Sequence, residues 1–277
     1  MGRLDGKTAI IMGATRRGNM GQAIALRFLA EGARVVVSGR NRDGLDSFAA
    51  ETGADAIPCD ITRRAEIEAL GKAVIARHGG VDIAINAAAI GSLAPFEEET
   101  EEQIDSMLSV IFKGGLFFLQ AMVGAMQQPR EGAPGGSIIT ISSAVADIMS
   151  DNHCSYMGAK AGLNHMTRYV AYAYGKAGIR ANILSPGLTI TPMLGDYEVP
   201  GMAEAYAREY PLGRIGTVED IANAALFMAS DECFMTGETF HVTGGLTLRR
   251  NPTMEEIMAS VGAHAPQRAE ADSAKQG

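Results

Sequence analysis

Short apolar runs alternate with longer stretches of helical periodicity over most of the chain. The short runs are rich in β-branched residues, a pattern typical of strands that are buried on both faces of a parallel sheet. These strand-like runs occupy residues 7–12, 34–38, 56–61, 81–86, 138–143, 179–184 and 239–243. Between them, apolar residues recur at helical spacing, as in Gln22 to Ala30. The alternation predicts an α/β fold, a single-domain doubly wound parallel sheet with helices on both of its faces.

The pattern changes near residue 250. No earlier segment resembles a linker, so we predict one domain over residues 1–250 and a C-terminal extension over residues 251–277. Residues 253–256 form a capping box that predicts one short helix. From about His264 onward the apolar periodicity is lost, which predicts a disordered tail.

Composition and charge narrow the class of partner. The formal net charge is −8, from 24 Lys and Arg against 32 Asp and Glu, which argues against nucleic acid as a main partner. No apolar run is long enough to span a bilayer, and the N-terminus lacks the apolar region of a signal peptide, so we expect a cytoplasmic protein without a membrane partner. The three cysteines and five histidines show no metal-ligand spacing, and no metal site is predicted.

Candidate chemistry is concentrated in the stretch from Ile138 to Lys160. The fifth apolar run ends in hydroxyl residues, the last of which is Ser143, and a helical stretch that runs to about Gly175 carries Tyr156. Tyr156 and Lys160 are four residues apart and share a helix face, where a lysine ammonium would stabilise the phenolate and lower the tyrosine pKa from about 10. Such a tyrosine can give or take a proton at a substrate oxygen that Ser143 could hold. Taken alone, the spacing also occurs in helices that have no catalytic role.

The first apolar run is followed by a glycine-rich turn and then by a helix. Gly13, Gly18 and Gly21 lie in this turn, and the helical stretch follows from Gln22. Glycine lets the backbone approach a pyrophosphate closely, and a helix N-terminus offers free N–H groups to it. The sequence therefore indicates a dinucleotide site, although a plain strand-to-helix turn also favours glycine.

Residues near the end of the second apolar run bear on the choice of coenzyme. A site that prefers NAD usually has an acidic residue there to bind the ribose 2′-hydroxyl, but this chain has Gly39 followed by Arg40. Arg16 and Arg17 lie in the neighbouring glycine-rich turn. Three guanidinium groups in a chain of negative net charge favour a 2′-phosphate, so NADP(H) is favoured and NAD(H) remains possible. The alternative is a set of solvated surface arginines.

Together, Ser143, Tyr156, Lys160, the glycine-rich turn and the stretch Asn182 to Gly187 resemble the short-chain dehydrogenase/reductase family over roughly residues 5–248. The resemblance implies that residues 1–250 form an NAD(P)-binding Rossmann-type catalytic domain. It also implies hydride transfer between NADP(H) and a carbonyl or secondary alcohol substrate. Tyr156 would be the acid/base, Lys160 would lower its pKa and hold the nicotinamide ribose, and Ser143 would orient the oxygen. Family members are often dimers or tetramers, so we expect a homodimer or homotetramer.

The resemblance also supplies further coenzyme residues. The acidic residue at the adenine edge maps to Asp60, flanked by Ile61, although Asp60 could equally be a helix-entry residue. Asn86 would brace the central sheet. The family's nicotinamide loop maps to Pro186, Gly187, Thr189 and Thr191. There the backbone of Thr189 would meet the carboxamide, and the hydroxyl of Thr191 would assist.

Two features depart from the family pattern. The glycine-rich turn is longer than usual, and Ile111 stands where the family has an asparagine that holds a water. These departures leave open a non-catalytic NAD(P)-binding regulator or scaffold of the same fold. Reduction of a C=C bond is disfavoured, because the related enoyl reductases space the tyrosine and lysine more widely. Apolar residues between Pro192 and Pro211 indicate either a lid over an apolar small-molecule substrate or a helix packed on the body.

Overall fold

The computed structural model describes residues 2–128, 135–191 and 201–274, with side chains as far as residue 264. Its centre is a parallel sheet of seven strands in the order β3-β2-β1-β4-β5-β6-β7. The strands are β1 Thr8–Met12, β2 Arg34–Gly39, β3 Asp55–Pro58, β4 Ile83–Asn86, β5 Gly136–Ile141, β6 Ile179–Pro186 and β7 Thr239–Val242. All seven predicted strands are present, and their bounds differ from the predicted ones by at most three residues. The predicted doubly wound α/β fold is confirmed.

Nine α-helices are assigned within the described residues. They are α1 Met20–Ala30, α2 Arg42–Thr52, α3 Arg64–His78, α4 Glu101–Met107, α5 Gly114–Met126, α6 Cys154–Tyr174, α7 Met202–Ala207, α8 Val218–Ala229 and α9 Met254–Ala274. A π-helical segment, Leu108–Lys113, joins α4 to α5.

Alternate strand residues enter two separate hydrophobic cores, one on each face of the sheet. Ile10 and Met12 of β1 join the core that α3, α5 and α6 cover. Ala9 and Ile11 of the same strand join the core that α1, α2 and α8 cover. Because both faces are covered, the strands contain few polar residues, and this is the origin of the apolar runs in the sequence.

The region Glu101–Met126 is long and apolar enough to cross a membrane, with a mean hydropathy of 1.6 over its best window. A buried core helix passes the same test of length and composition, so this finding does not overturn the expectation that no segment spans a membrane. In the fold, however, this region packs inside the protein: Phe118 and Met122 are fully buried and contact the core formed with α3 and α6. Burial in this core accounts for the hydrophobicity of the region.

The C-terminal extension contains a longer helix than the sequence predicts. Its start agrees with the predicted capping box. The backbone N–H of Thr253 donates a hydrogen bond of 2.8 Å to the Glu256 carboxylate, and the backbone N–H of Glu256 donates one of 3.2 Å to the Thr253 hydroxyl. The helix α9 then continues to Ala274, past His264, where the sequence predicts disorder. Apolar periodicity did not reveal this part, but its alanines have the highest intrinsic helix propensity. The division into a domain over residues 1–250 and an extension stays a prediction.

Candidate active site

The predicted site residues lie at the carboxyl ends of the central strands, near the point where the strand order reverses between β1 and β4. Asn86 ends β4, in register with Met12 of β1 and Thr140 of β5. Its side chain is 3% exposed, and its Oδ1 accepts a hydrogen bond of 3.2 Å from the backbone N–H of Ala88. This bond fixes the turn that follows β4, and the bracing of the central sheet by Asn86 and its coenzyme role stay predictions.

Ser143 follows β5 and starts a short 3-10 turn, Ala144–Ala146. Its extended backbone lets its Oγ accept a hydrogen bond of 3.4 Å from the N–H of Val145. The Ser143 hydroxyl also lies close enough to the phenol of Tyr156 to lower the pKa of that phenol in part. The structure therefore brings together two side chains that are thirteen residues apart in the sequence, with both hydroxyls at one edge of the sheet.

Tyr156 and Lys160 lie on one face of α6, as their spacing predicts. The Lys160 Nζ lies 5.7 Å from the centroid of the Tyr156 ring and donates a hydrogen bond of 2.7 Å to the carbonyl of Ile141. Lys160 is only 3% exposed, and this burial lowers the pKa of its ammonium to about 8. The lysine is therefore held within reach of the tyrosine, with a weakened preference for the charged form.

The expected direction of the Tyr156 pKa is wrong in this structure. Burial raises the pKa of the phenol to about 12, and the neighbouring Ser143 hydroxyl offsets only part of this rise. Lys160 does not reverse the effect, because its Nζ is anchored to the Ile141 carbonyl and lies over the ring. The phenol is consequently protonated at neutral pH, which is the form that donates a proton.

The start of α6 is held by a carboxylate that the sequence analysis missed. The N-cap residue of α6, His153, makes no side-chain capping bond. Instead, Glu99 accepts a hydrogen bond of 3.2 Å from the backbone N–H of Ser155, and its other oxygen accepts from the Ser155 hydroxyl. Ser155 directly precedes Tyr156, so Glu99 fixes the first turn of the helix that carries the candidate acid/base. A partner 56 residues away leaves no local signal in the sequence.

The glycine-rich turn is compact and leaves little room for side chains. A Cβ at Gly13, where φ is +96°, would lie 2.6 Å from the carbonyl carbon of Ala87. A Cβ at Gly21 would lie 2.8 Å from the Gly13 oxygen, whereas Gly18 is exposed with a φ of +75°. This crowding explains the glycines and leaves a backbone surface that fits a pyrophosphate.

Asn19 stabilises the same turn and was missed in the sequence analysis. Its Oδ1 accepts a hydrogen bond of 2.9 Å from the N–H of Gln22, and its Nδ2 donates one of 2.7 Å to the carbonyl of Gly13. An asparagine directly before a helical stretch is a common N-cap, so this signal was present in the sequence.

The convergence of Arg16, Arg17 and Arg40 on one 2′-phosphate site stays a prediction. All three are exposed, but Arg17 lies 3.4 Å from the carboxylate of Glu51 in α2. Arg40 lies near Asp60. Burial by itself raises the pKa of Asp60, but hydrogen bonds from Thr62 and the positive charges of Arg40 and Arg63 hold that pKa below its usual value. Arg40 thus remains at the predicted ribose end of β2, and Arg17 already has an acidic partner.

Asp60 occupies the helix-entry position that was the alternative to an adenine contact. Its Oδ1 accepts hydrogen bonds from the backbone N–H and the hydroxyl of Thr62, at 2.9 and 2.8 Å. Glu66 of α3 in turn accepts one of 2.8 Å from the Asp60 N–H. Ile61 is 5% exposed and packs against Gly114. These bonds fix the turn, and contact of either residue with adenine stays a prediction.

The predicted nicotinamide loop follows β6 and is ordered as far as it is described. Pro186 ends the strand, and the N–H of Gly187 donates a hydrogen bond of 3.3 Å to the carbonyl of Val242. Thr189 is 4% exposed, and its hydroxyl donates one of 3.0 Å to the Gly187 carbonyl. Thr191 is the last residue described before the gap in this region. The loop is therefore held by backbone contacts near the carboxyl end of β6.

Only part of the predicted lid can be assessed. Residues 192–200 lie outside the described residues. In the described part, the Tyr210 hydroxyl lies 3.4 Å from the carbonyl of Leu188, and Tyr206 packs in a small apolar cluster with Ala144 and Ile148. This part of the stretch is packed on the body beside the residues that follow Ser143.

Ile111 lies in the π-helical segment, is 1% exposed and belongs to the core under α6. The side chain is therefore a packing residue, which explains why an apolar residue is accepted where the family has asparagine. Segments of π-helix often occur near functional sites, and this one contacts α6.

A family model described as enoyl-(acyl carrier protein) reductase matches residues 13–247. Together with the doubly wound parallel sheet, this match defines the class of protein as an oxidoreductase. The chain belongs to the short-chain dehydrogenase/reductase family, which confirms the resemblance noted in the sequence.

Individual relatives span different substrates. The chain is 33% identical over 254 residues to D-threitol dehydrogenase of Mycolicibacterium smegmatis, covering 89% of this chain and 95% of that one. It is 35% identical over 249 residues to 7alpha-hydroxysteroid dehydrogenase of Escherichia coli K12, covering 88% and 95%. A solved gluconate 5-dehydrogenase of Burkholderia cenocepacia, in complex with NADP and tartrate, has a TM-score of 0.82 and 28% identity, covering 89% and 97%.

Proposed function

We propose that this protein is an NADP(H)-dependent oxidoreductase that transfers a hydride between the coenzyme and a carbonyl or secondary alcohol carbon. The observation that carries the proposal is the cluster of Ser143, Tyr156 and Lys160 at the carboxyl edge of the sheet, where the Lys160 Nζ lies 5.7 Å from the centroid of the tyrosine ring and the Ser143 hydroxyl lies beside the phenol. These groups can hold one substrate oxygen and exchange one proton with it.

The nicotinamide coenzyme supplies or accepts the hydride when it is bound. In reduction, the Tyr156 hydroxyl donates its proton to the substrate oxygen as the carbonyl becomes an alcohol. In oxidation, the phenolate of Tyr156 takes that proton back. Ser143 holds the oxygen by a hydrogen bond, and the ammonium of Lys160 stabilises the phenolate that forms in reduction. The protonated state of Tyr156 in this structure suits it to start the reductive direction.

Coenzyme choice rests on the residues at the end of β2. A Cβ at Gly39 would lie 2.3 Å from the Thr15 side chain, so the glycine is required for close packing with the glycine-rich turn. The exposed Arg40 follows it and offers a guanidinium to a 2′-phosphate. The gluconate 5-dehydrogenase structure with NADP supports the same choice. Arg16 and Arg17 would add to this charge, and NAD(H) remains the competing coenzyme.

We propose a small-molecule substrate with an apolar part. Ala144, Ile148 and Leu188 form an apolar cluster beside the catalytic serine. A cytoplasmic homodimer or homotetramer stays our expectation, and the exposed Tyr169 and Tyr172 on α6 support assembly through this helix. The four-residue spacing of tyrosine and lysine favours C=O over C=C chemistry. The non-catalytic alternative rested on Ile111 and on the longer glycine-rich turn, and the packing of Ile111 in the core removes the first of these grounds.

The decisive experiment is a turnover assay, read at the absorbance of reduced nicotinamide, with D-threitol, gluconate and a 7α-hydroxysteroid. Tyr156→Phe should abolish turnover while NADPH still binds, because the ring packs without the hydroxyl. Tyr172→Phe is the matched control, since it removes a hydroxyl from an exposed position of the same helix. Turnover above a few per cent of wild type in Tyr156→Phe would remove Tyr156 from the acid/base role.

A further inference from the structure

The segment that follows the family match returns to the candidate active site. The amide of Asn251, a residue that is 8% exposed, donates a hydrogen bond of 2.8 Å to the carbonyl of Met149. Three residues later, the backbone N–H of Met254, the first residue of α9, donates one of 3.0 Å to the Asp151 carboxylate. Two consecutive bonds therefore tie the C-terminal segment to the loop of residues 147–152, which connects the 3-10 turn after Ser143 to α6.

The first of these bonds leads to Ser143. Met149 follows Ile148, whose N–H donates a hydrogen bond of 2.9 Å to the carbonyl of Ala144. Ala144 directly follows Ser143. The position of the Met149 carbonyl is thus coupled through one tight turn to the backbone of the catalytic serine.

The second bond leads to Tyr156. The carbonyl of Asp151 is 2.8 Å from the Nδ1 of His153, and the His153 ring meets the Tyr156 ring edge-on with 6.0 Å between centroids. Asn152, between them, has a φ of +60°, in the left-handed region that asparagine adopts more readily than most residues with a side chain. The loop is therefore held in one shape on the side of the phenol.

The other end of the segment is fixed to the chain just after α7. Arg249 donates a hydrogen bond of 3.0 Å to the carbonyl of Arg208 and lies 3.4 Å from the Glu209 carboxylate. Arg250 lies 3.6 Å from the same carboxylate and 2.7 Å from that of Glu256. The segment thus joins two elements that flank the substrate side, the loop 147–152 and the end of α7.

We propose that residues 249–254, named here the C-terminal clamp, are a positioning element of the active site. The clamp holds the loop between Ser143 and Tyr156, and so sets the distance at which both hydroxyls meet the substrate oxygen. The inference rests on the proposed function. Small misplacements of reacting groups reduce rates strongly, on the order of a hundredfold for 1 Å, so a single buried hydrogen bond far from the chemistry can matter.

The test compares Asn251→Ala with wild type in the full-length protein. Asn251→Ala removes the donor to the Met149 carbonyl, and kcat/KM should fall at least tenfold for the best substrate among D-threitol, gluconate and a 7α-hydroxysteroid. The Kd for NADPH should stay within twofold, because the clamp touches the loop after β5 and the glycine-rich turn lies elsewhere. Amide hydrogen exchange at Ile148 should accelerate at least tenfold.

Thr52→Ala is the matched control. Like Asn251→Ala, it removes a side-chain hydrogen bond to a backbone carbonyl, here the bond of 2.7 Å from the Thr52 hydroxyl to the carbonyl of Phe48. This bond lies at the C-terminus of α2, on the opposite edge of the sheet. It should leave both kcat/KM and Ile148 exchange unchanged. Wild-type kinetics, or unchanged exchange at Ile148, in Asn251→Ala would overturn the proposal. If the wild-type protein turns over none of the three compounds, the proposed function fails, while the exchange comparison still decides whether the clamp holds the loop.

Discussion

Replacing Ile111 by asparagine separates a packing role from a missing water relay. Ile111 is 1% exposed and belongs to the core that α5 and α6 share. Removing its buried side chain loses about 1.5–3 kcal/mol of the stabilisation that burial of apolar surface provides. An asparagine amide placed in that core without a partner costs about 1–3 kcal/mol more.

The sum predicts a loss of about 2.5–6 kcal/mol in the free energy of unfolding for Ile111→Asn. For a chain of this size, such a loss lowers the midpoint of thermal unfolding by roughly 5–25 °C. Circular dichroism at rising temperature measures the shift, and Ile111→Val, expected to cost about 0.5–1.5 kcal/mol, reports the effect of lost volume alone. Below the transition, kcat should equal that of wild type.

The opposite result has a clear meaning. An Ile111→Asn protein that melts within 2 °C of wild type, on the scale of about 2–4 °C per kcal/mol, and turns over faster would refute the packing argument. It would show that the amide finds a partner in the π-helical segment and restores a proton path.

Three further predictions follow from the site. Arg40→Ala should reduce the preference for NADP over NAD by roughly tenfold to a hundredfold, since a charge-assisted phosphate contact contributes about 1.5–3 kcal/mol. A wild-type kcat/KM that is equal or better with NAD would contradict the assignment of NADP as the coenzyme. Reductive turnover should decline as the pH rises through about 8, because burial lowers the pKa of Lys160 to about 8. Above that pH the lysine loses the positive charge that stabilises the phenolate of Tyr156. A flat profile of kcat between pH 7 and roughly pH 9.5, well above that pKa, would exclude this role of Lys160. Glu99→Ala should lower kcat and cost about 0.5–2 kcal/mol of stability, because a helix cap is lost. Glu99→Gln should restore part of both, and Glu98→Ala, at the exposed neighbouring position, should change neither. Equal kcat in Glu99→Ala and wild type would show that Tyr156 does not need Glu99 to fix its helix.

The sequence by itself determined the elements and their class. Strands buried on both faces must be apolar throughout, so β1, β4 and β5 were visible as runs, and their alternation with helices required a parallel sheet. Tyr156 and Lys160 were placed on one face of α6 because helical periodicity is a local property. The glycines of the first turn were also visible, because backbone crowding there excludes side chains.

Only the tertiary structure decided how the site is held and tuned. Glu99 and Ser155 are 56 residues apart, and Asn251 and Met149 are 102 apart, so no local pattern could pair them. The direction of the Tyr156 pKa shift also depended on packing, because desolvation of the phenol outweighs the effect of the neighbouring Ser143 hydroxyl. Local spacing places a side chain on a face, whereas its burial and its distant partners arise only when separate elements pack together.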